Sequence, residues 1–415
     1  MNGLTLLQSA AILLALTATF SYFNARYIKL PPAVGVMLIS LVLSLALIGL
    51  GALGFGVGDH AKALHGNLDF GQALLRGMLS FLLFAGSLHL DLSELARQKM
   101  FVAALATAGV LLSTLLIGSG TYCILRWMSL PAPFLACLLF GALISPTDPI
   151  AVMGFLKTAD LPKHLSVQIA GESLFNDGVG VILFTILGRL LVQKTEAPLE
   201  LAGLLFFKEA VGGAALGLLM GWAVACMIQA VDNAETEILL TLALAMGGYS
   251  LADALGASGP IATVVAGLFI GNEGRSSASK AVRSSLIGFW EILDEILNAV
   301  LFVMIGLEVF SIAPAGKYLL AAPFVILLAL LARLASVAAP LAALRGARGL
   351  RPEGLKILVW GGLRGGLSVA MALSMPPIPS KELFLSLTYA VVVFSVIIQS
   401  LAVRRMIVPV QPSRS

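Results

Sequence analysis

The chain contains 415 residues, of which 59% are hydrophobic and only 12% charged, and its mean hydropathy is +0.99. A soluble domain carries about 25% charged residues, so this composition excludes a soluble globular protein and indicates one that crosses a membrane several times. The formal net charge is +4, but the basic residues fall mostly in loops between apolar runs, which signals membrane topology and not a nucleic-acid-binding surface.

Thirteen apolar windows of membrane-spanning length follow one another along the chain, separated by polar or Pro/Gly breaks. They cover residues 4–23, 31–51, 71–90, 101–124, 132–155, 165–188, 203–229, 236–253, 258–271, 284–310, 318–344, 355–375 and 383–403. The first window lacks a basic start and a small-residue cleavage site, which favours a retained span over a signal peptide. The predicted fold class is therefore an all-α polytopic membrane protein.

The windows divide into two six-helix halves, spans 1–6 and 8–13, joined by span 7. An odd number of connecting spans inverts the second half relative to the first, which predicts two inverted repeats. We therefore expect one membrane transporter domain over residues 1–415, built from a first repeat (1–193), a linking helix (194–233), a second repeat (234–408) and a short cytoplasmic tail (409–415).

The distribution of basic residues predicts the orientation of the chain. Alternate loops carry sixteen and eight Lys or Arg residues, and the richer set is expected on the cytoplasmic side. This places the N-terminus outside and the C-terminus in the cytoplasm, and an odd number of spans agrees with termini on opposite sides. Two basic residues, Arg333 and Arg364, fall inside apolar segments instead. For Arg333 both snorkelling to an interface and a structural pair with Glu308 stay open.

The fifth span contains the sequence SPTDPIAV, in which Pro146 and Pro149 flank Thr147 and Asp148. Each proline removes a backbone donor and disfavours a continuous helix. A simple proline kink is the alternative, but a charged residue between the two prolines favours a true interruption, which is tolerated only where protein or a watery cavity satisfies the freed backbone groups. The fifth span is therefore predicted to be interrupted.

The twelfth span contains the matching break, WGGLRGGLSVA, in which four glycines surround Arg364. Interrupted helices at corresponding places in two repeats are the best sequence indication of a transporter's central site. Crossed breaks bring half-helix ends together, and their partial charges need partners. Asp148 would offset the positive N-terminal ends, and Arg364 the negative C-terminal ends.

The sixth span contains the most informative polar cluster, in the sequence GESLFNDGVGVILF. Glu172, Ser173, Asn176 and Asp177 are spaced i, i+1, i+4 and i+5, which puts them on one face of a helix. Ionisable groups at bilayer depth are costly and usually mark an ion or proton path. The structural alternative is that Glu172, Ser173 and Asn176 only hold helices together through hydrogen bonds.

A dehydrated monovalent cation prefers oxygen ligands, which these two spans supply. We expect a transported-ion site formed by Asp177, Asp148, the Ser173 hydroxyl and oxygens near Thr147. One carboxylate that holds either H⁺ or a metal ion is sufficient for exchange if only the loaded forms reorient. Asn176 orients the site but cannot carry a proton, which favours one proton per cation.

Other polar residues fit less clearly into this site. Glu172 is expected to pair with Arg364, because an unpaired buried charge is costly. Asp253, Asp294 and Glu295 are interpreted as charges at a mouth or interface, and no spacing argument decides the role of Asn298 or Glu308. The cysteines and histidines show no metal-ligand spacing, so no cofactor is predicted.

Four stretches together resemble the monovalent cation:proton antiporter-1 family, the group of bacterial NhaP proteins and animal Na⁺/H⁺ exchangers. They are SPTDPIAV (145–152), GESLFNDGVGVILF (171–184), LNAVLFVMIGLE (297–308) and WGGLRGGLSVAMAL (360–373), and they occur in the family's order. The Asn-Asp pair followed by Gly separates this group from relatives with two aspartates, which move net charge.

The resemblance implies a homodimer of thirteen-helix protomers in the inner membrane of a cell, each with a core domain that shifts like an elevator against a dimerisation domain. It implies that the matching residues bind the ion and the proton or support that site. The binding residues are Asp177, Asp148, Ser173 and Thr147, and the supporting ones are Asn176 and the buried pair Glu172 and Arg364.

The sequence therefore predicts a secondary antiporter that exchanges Na⁺ or Li⁺ for H⁺, and not an enzyme. K⁺/H⁺ exchange stays open, because the motifs supply oxygens but do not define a cavity radius. A passive channel is disfavoured, since no filter-like repeat of carbonyl donors is present. An intramembrane hydrolase with Ser173 as nucleophile is also disfavoured, because His164 lies nine residues earlier and is a poor partner by spacing.

Overall fold

The computed structural model of the chain describes residues 6–52, 69–149, 163–193, 199–273, 280–308, 316–344 and 352–407. Within these ranges the regular structure is helical, apart from a single isolated β-bridge. Seven of the helices are long and apolar enough to cross a membrane, and three shorter apolar helices accompany them. The chain is thus a polytopic all-α membrane protein.

The described part of the first predicted half contains eight α-helical segments. They are α1 (Leu6–Phe23), α2 (Pro32–Ala52), α3 (Asp69–Leu88), α4 (Leu92–Arg97), α5 (Lys99–Ala104), α6 (Val110–Trp127), α7 (Phe134–Ile144) and α8 (Lys163–Gln193). The predicted linking span is α9 (Leu199–Gln229).

The second predicted half contains nine described segments. They are α10 (Ala234–Ala254), α11 (Gly259–Glu273), α12 (Lys280–Glu308), α13 (Gly316–Leu319), α14 (Ala322–Ala343), α15 (Pro352–Trp360), α16 (Gly366–Leu373), α17 (Lys381–Val393) and α18 (Ser400–Ile407).

Each of the thirteen predicted spans overlaps one described helix or consecutive helical segments, and residues 150–155 of the fifth span lie outside the described part of the structure. The ninth span is short, with 15 residues in α11, and the tenth is long, with 29 residues in α12, as the apolar windows predict. The number of thirteen membrane crossings stays a prediction, because the loops after several spans lie outside the described residues.

Two spans continue through π-helical turns. Leu105–Gly109 joins α5 to α6, and Phe394–Gln399 joins α17 to α18. A π-helical turn widens the helix locally and reorients the backbone, and such turns are frequent at functional sites. Gly109 permits a close approach at the first turn, since a Cβ atom there would lie 3.1 Å from the carbonyl oxygen of Ser336 in α14.

Small residues bring several helices into backbone contact. A Cβ atom on Gly141 of α7 would lie 2.3 Å from the carbonyl oxygen of Thr114 in α6, and one on Gly217 of α9 would lie 2.2 Å from that of Ala262 in α11. Between helices in lipid, association depends on such close packing, because the bilayer supplies little hydrophobic driving force. The contact at Gly141 fixes the interrupted α7 against α6, and the contact at Gly217 joins α9 to α11.

The outer faces of the helices are apolar. Along α9 the exposed side chains include Leu204, Phe207, Val211, Leu218, Leu219, Trp222 and Met227. A soluble protein rarely exposes such a continuous stripe. The stripe suits contact with lipid tails or with a second copy of the chain.

Candidate functional site

The two interrupted helices meet backbone to backbone. The N–H of Asp148 donates to the carbonyl oxygen of Leu363 at 2.7 Å, which forms the isolated antiparallel bridge. The first break follows Ile144, the last residue of α7, and the second lies between Trp360 of α15 and Gly366 of α16. Both predicted interruptions are confirmed, and a simple proline kink does not describe the first, because its backbone bonds to the unwound segment of the second.

Arg364 neutralises the carbonyl end of α7. Its Nη1 atom donates to the carbonyl oxygens of Ser145 and Pro146, at 2.5 Å and 3.0 Å, and the residue is buried. The last carbonyls of a helix carry partial negative charge and lack helical partners. The predicted task of Arg364, to offset a C-terminal half-helix end, is therefore confirmed.

The predicted ion pair between Glu172 and Arg364 is wrong. Glu172 of α8 pairs with Arg333 of α14, whose Nη1 and Nη2 atoms donate to the two carboxylate oxygens, the latter at 3.1 Å. Arg333 Nη2 also donates to the carbonyl oxygen of Leu358 at 2.8 Å. The guanidinium of Arg364 instead donates to the carbonyl oxygens of Ser145 and Pro146.

Arg333 is only 7% exposed, so the snorkelling interpretation is wrong as well. Its alternative partner was Glu308, whose side chain lies outside the described part of the structure. A buried ion pair requires such bidentate geometry, because two desolvated charges are otherwise costly.

The unwound segment of the fifth span is held by the polar face of α8. Asn176 Nδ2 donates to Thr147 Oγ1 at 2.8 Å, and Asn176 Oδ1 accepts from the backbone N–H of Thr147 at 3.3 Å. The hydroxyl of Ser173 donates to the carbonyl oxygen of Thr147. The structure thus brings together these three predicted residues, and α8 replaces the hydrogen bonds that the broken helix lacks.

The carboxylates of Asp148 and Asp177 lie close enough for their negative charges to repel each other. Asp177 is partly exposed, and within the described residues its carboxylate accepts no hydrogen bond. Asp148 lies against the second break, since a Cβ atom on Gly365 would be 2.0 Å from Asp148 Oδ2. The two carboxylates therefore form a local concentration of negative charge beside the second break.

The described residues contain no group of three or more His, Cys, Asp or Glu side chains arranged to hold a metal ion. A site of two carboxylates with hydroxyl and carbonyl oxygens nearby suits weak, reversible binding of a monovalent cation, since tightly held divalent ions take more oxygen ligands.

Two further residues, Ser395 and Gln399, lie where the two breaks meet but belong to none of the motifs identified in the sequence. Ser395 Oγ accepts from the backbone N–H of Arg364 at 2.8 Å and donates to Gln399 Oε1 at 3.0 Å. Gln399 Nε2 donates to the carbonyl oxygen of Trp360 at 2.8 Å. The available signal was a pair of polar residues four apart in the largely apolar thirteenth span.

The remaining polar candidates lie away from these contacts. Asp253 and Glu295 are exposed and Asp294 is partly exposed, in line with their interpretation as mouth or interface charges. Asn298 is buried, and within the described residues neither polar atom of its amide has a hydrogen-bond partner. No hydrogen bond among the described residues joins Asn298 to Asp148 or Asp177.

Comparisons with known proteins agree over nearly the whole chain. Residues 12–408 match the family described as sodium/hydrogen exchanger, transmembrane. The chain is 46% identical over 406 residues to the Na⁺/H⁺ antiporter NhaP of Pseudomonas aeruginosa, which covers 96% of this chain and 95% of that protein. It is 33% identical over 404 residues to the Na⁺/H⁺ antiporter NhaH of Halobacillus dabanensis, covering 95% and 96% of the two chains.

The fold of this chain is similar to that of a solved antiporter structure. The sodium proton antiporter MjNhaP1 from Methanocaldococcus jannaschii, determined at pH 8, matches with a TM-score of 0.76 over 97% of this chain and 98% of that chain. The sequence identity is 20%, so this likeness concerns the fold alone.

Proposed function

The chain belongs to the family of transmembrane sodium/hydrogen exchangers, and from that premise we propose that it exchanges Na⁺ or Li⁺ for H⁺ across a membrane. The observation that carries the proposal is the carboxylate of Asp177, which lies beside Asp148 at the crossing of two interrupted helices. A single anionic position that accepts either a proton or a small cation couples the two ions, because binding of one excludes the other.

The charges around the crossing support a one-for-one exchange. The described residues around the crossing include three carboxylates, those of Glu172, Asp148 and Asp177, and two guanidinium groups, those of Arg333 and Arg364. Three negative charges and two positive charges leave one negative charge, which one H⁺ or one Na⁺ neutralises. Asn176 is neutral and adds no proton to this count. Exchange would then move no net charge.

Alternating access in this proposal is an elevator-like shift of the core that carries the crossing, relative to a scaffold that forms a homodimer. The protein lies in the inner membrane with its N-terminus outside and its C-terminus in the cytoplasm. Ions and lipid are its partners, together with a second copy of the chain. The repeats, residues 1–193 and 234–408 joined by 194–233, provide the two inverted halves, and 409–415 form a tail.

The proposal is tested with everted membrane vesicles that maintain an acidic interior. We expect the pH gradient to dissipate when Na⁺ or Li⁺ is added and to persist when K⁺ is added. A gradient that collapses before any cation is added would indicate a passive proton leak, and a response to K⁺ alone would indicate K⁺/H⁺ exchange. Vesicles that contain the Asp177→Asn variant provide the control for endogenous transport.

A further inference from the structure

The second interrupted helix is held at both ends by one neighbouring helix. The break after α15 leaves the carbonyl of Trp360 and the N–H of Arg364 without helical partners. Gln399 bonds to that carbonyl and Ser395 to that N–H, and the two side chains bond to each other. Ser395 and Gln399, named here the clasp, therefore join the two ends of the break in one chain of hydrogen bonds.

The clasp is buried and lies on a distorted part of its own helix. Ser395 is 1% exposed and Gln399 is 3% exposed, and both belong to the π-helical turn Phe394–Gln399. A buried polar group without a partner is costly, and in a bilayer interior no water replaces a lost bond. Because any other conformation of the break would leave these buried groups without partners, the clasp stabilises the present one.

The segment that the clasp holds also fixes Asp148. The carbonyl of Leu363 accepts the N–H of Asp148, and the Cα atom of Gly365 lies directly against the Asp148 carboxylate. These two residues flank Arg364, whose own N–H is bonded to Ser395. A shift of the break would therefore move the backbone that supports Asp148.

The space beside the clasp is too small for a replacement ligand. A cavity of about 10 Å³ is lined in part by Arg333, Gly362, Arg364, Ser395 and Gln399. This is close to the minimum that holds one water molecule. A truncated clasp side chain can thus be replaced by a water at most, which tethers the break less rigidly than a side chain does.

We propose that Ser395 and Gln399 are positioning residues for ion exchange, which hold the interrupted twelfth span so that Asp148 is presented to Asp177. The inference rests on the proposed function, Na⁺/H⁺ exchange at these two carboxylates. Neither clasp residue touches the ion position. Their effect passes through residues 361–365 to Asp148.

The test compares Ser395→Ala and Gln399→Met with the wild-type protein in reconstituted vesicles. Both variants should raise the half-saturating Na⁺ concentration about tenfold. This is the change expected if the whole free energy of one lost hydrogen bond is lost from Na⁺ binding. They should also displace the pH profile of exchange. Ser395→Thr keeps the hydroxyl and should restore both properties towards wild type.

Ser400→Ala is the matched control. Ser400 is the neighbour of Gln399 and is fully buried, and its hydroxyl bonds, among the described residues, to the carbonyl groups of Val396 and Ile397 in its own helix. Its loss removes a hydroxyl from the same helix without touching the break. The half-saturating Na⁺ concentration and the pH profile should then equal those of the wild type.

The outcomes separate positioning from mere stabilisation. If both clasp variants lower only thermal stability or the maximal rate, with half-saturation and pH profile unchanged, the clasp has no positioning role. If neither truncation yields folded protein, Gln399→Asn, which is one methylene shorter and cannot span both bonds, decides by the same two readouts. A wild-type protein without cation-dependent proton flux would overturn the proposed function, and with it this inference, before any variant is compared.

Discussion

Arg333 and Glu172 form a bidentate ion pair that joins α14 to α8, next to the residues of α8 that hold the first break. Both side chains are almost completely buried, at 8% and 3% exposure. Glu172 immediately precedes Ser173, whose hydroxyl bonds to Thr147. The pair therefore anchors the α8 face that supports the unwound fifth span, while Arg364 bonds to the end of α7.

Removal of one partner of this pair should destabilise the protein strongly. Arg333→Gln or Glu172→Gln alone leaves a desolvated charge without its partner, which costs about 3–5 kcal/mol. The double variant should lose less than the sum of the two single losses, because it leaves no unpaired charge. The measurement is the free energy of unfolding of the purified protein in detergent.

The exposed pair Arg97–Glu94 on α4 provides the control, since its arginine side chain is 72% exposed. Arg97→Gln should change the free energy of unfolding by at most about 1 kcal/mol. Equal losses for Arg97→Gln and Arg333→Gln would contradict the structural importance of the buried pair.

Asn176→Asp should make exchange sensitive to the membrane potential. The charged side chains around the crossing leave one negative charge without a positive partner, and the change adds a second. The site then accommodates two positive charges. The carboxylate still reaches Thr147, whose hydroxyl and N–H both lie at hydrogen-bond distance from the Asn176 side chain. The measurement is the exchange rate in vesicles at imposed potentials of either sign. A rate independent of potential would mean that position 176 never changes its charge during transport.

Gly365→Ala should impair exchange by at least about tenfold, because misplacement of a reacting group by about 1 Å can cost a hundredfold. The added methyl group would lie 2.0 Å from Asp148 Oδ2, so the carboxylate must move. Gly247→Ala is the control, since no atom lies within 4 Å of a Cβ built there. Exchange should be measured per folded protein, and wild-type activity in Gly365→Ala would contradict the assigned position of Asp148.

Proton and sodium ion should compete for one site. The half-saturating Na⁺ concentration should therefore rise as the pH falls, by at most about tenfold per pH unit, while the maximal rate extrapolated to high Na⁺ changes less. Initial rates across several pH values and Na⁺ concentrations measure both quantities. A half-saturating concentration independent of pH would contradict competition at a shared carboxylate.

The breaks could be predicted from sequence because their causes are local. Pro146 and Pro149 cannot donate backbone hydrogen bonds, and the glycines around Arg364 weaken a helix wherever they occur. The contacts of Asn176 and Ser173 with Thr147 were also accessible, because polar groups on one face of a membrane helix require polar partners.

The ion pair could not be predicted in the same way. Arg333 stands in an apolar run, and its sequence environment is the same whether its guanidinium reaches the interface or a buried carboxylate. The choice depends on which carboxylate the folded chain brings within reach of α14, which is a tertiary property. The clasp presents the same difficulty. In the sequence, Ser395 and Gln399 look like residues that bond within their own helix, and only the folded structure shows that they bond to the neighbouring break.

The most direct test is to add Na⁺ to the purified protein in weakly buffered solution and to count the protons released per ion bound. Shared use of the Asp177 carboxylate predicts one proton for each Na⁺ at a pH where the free site is protonated, and none from the Asp177→Asn variant. Na⁺ binding without proton release from the wild type, or equal release from the variant, would contradict the account.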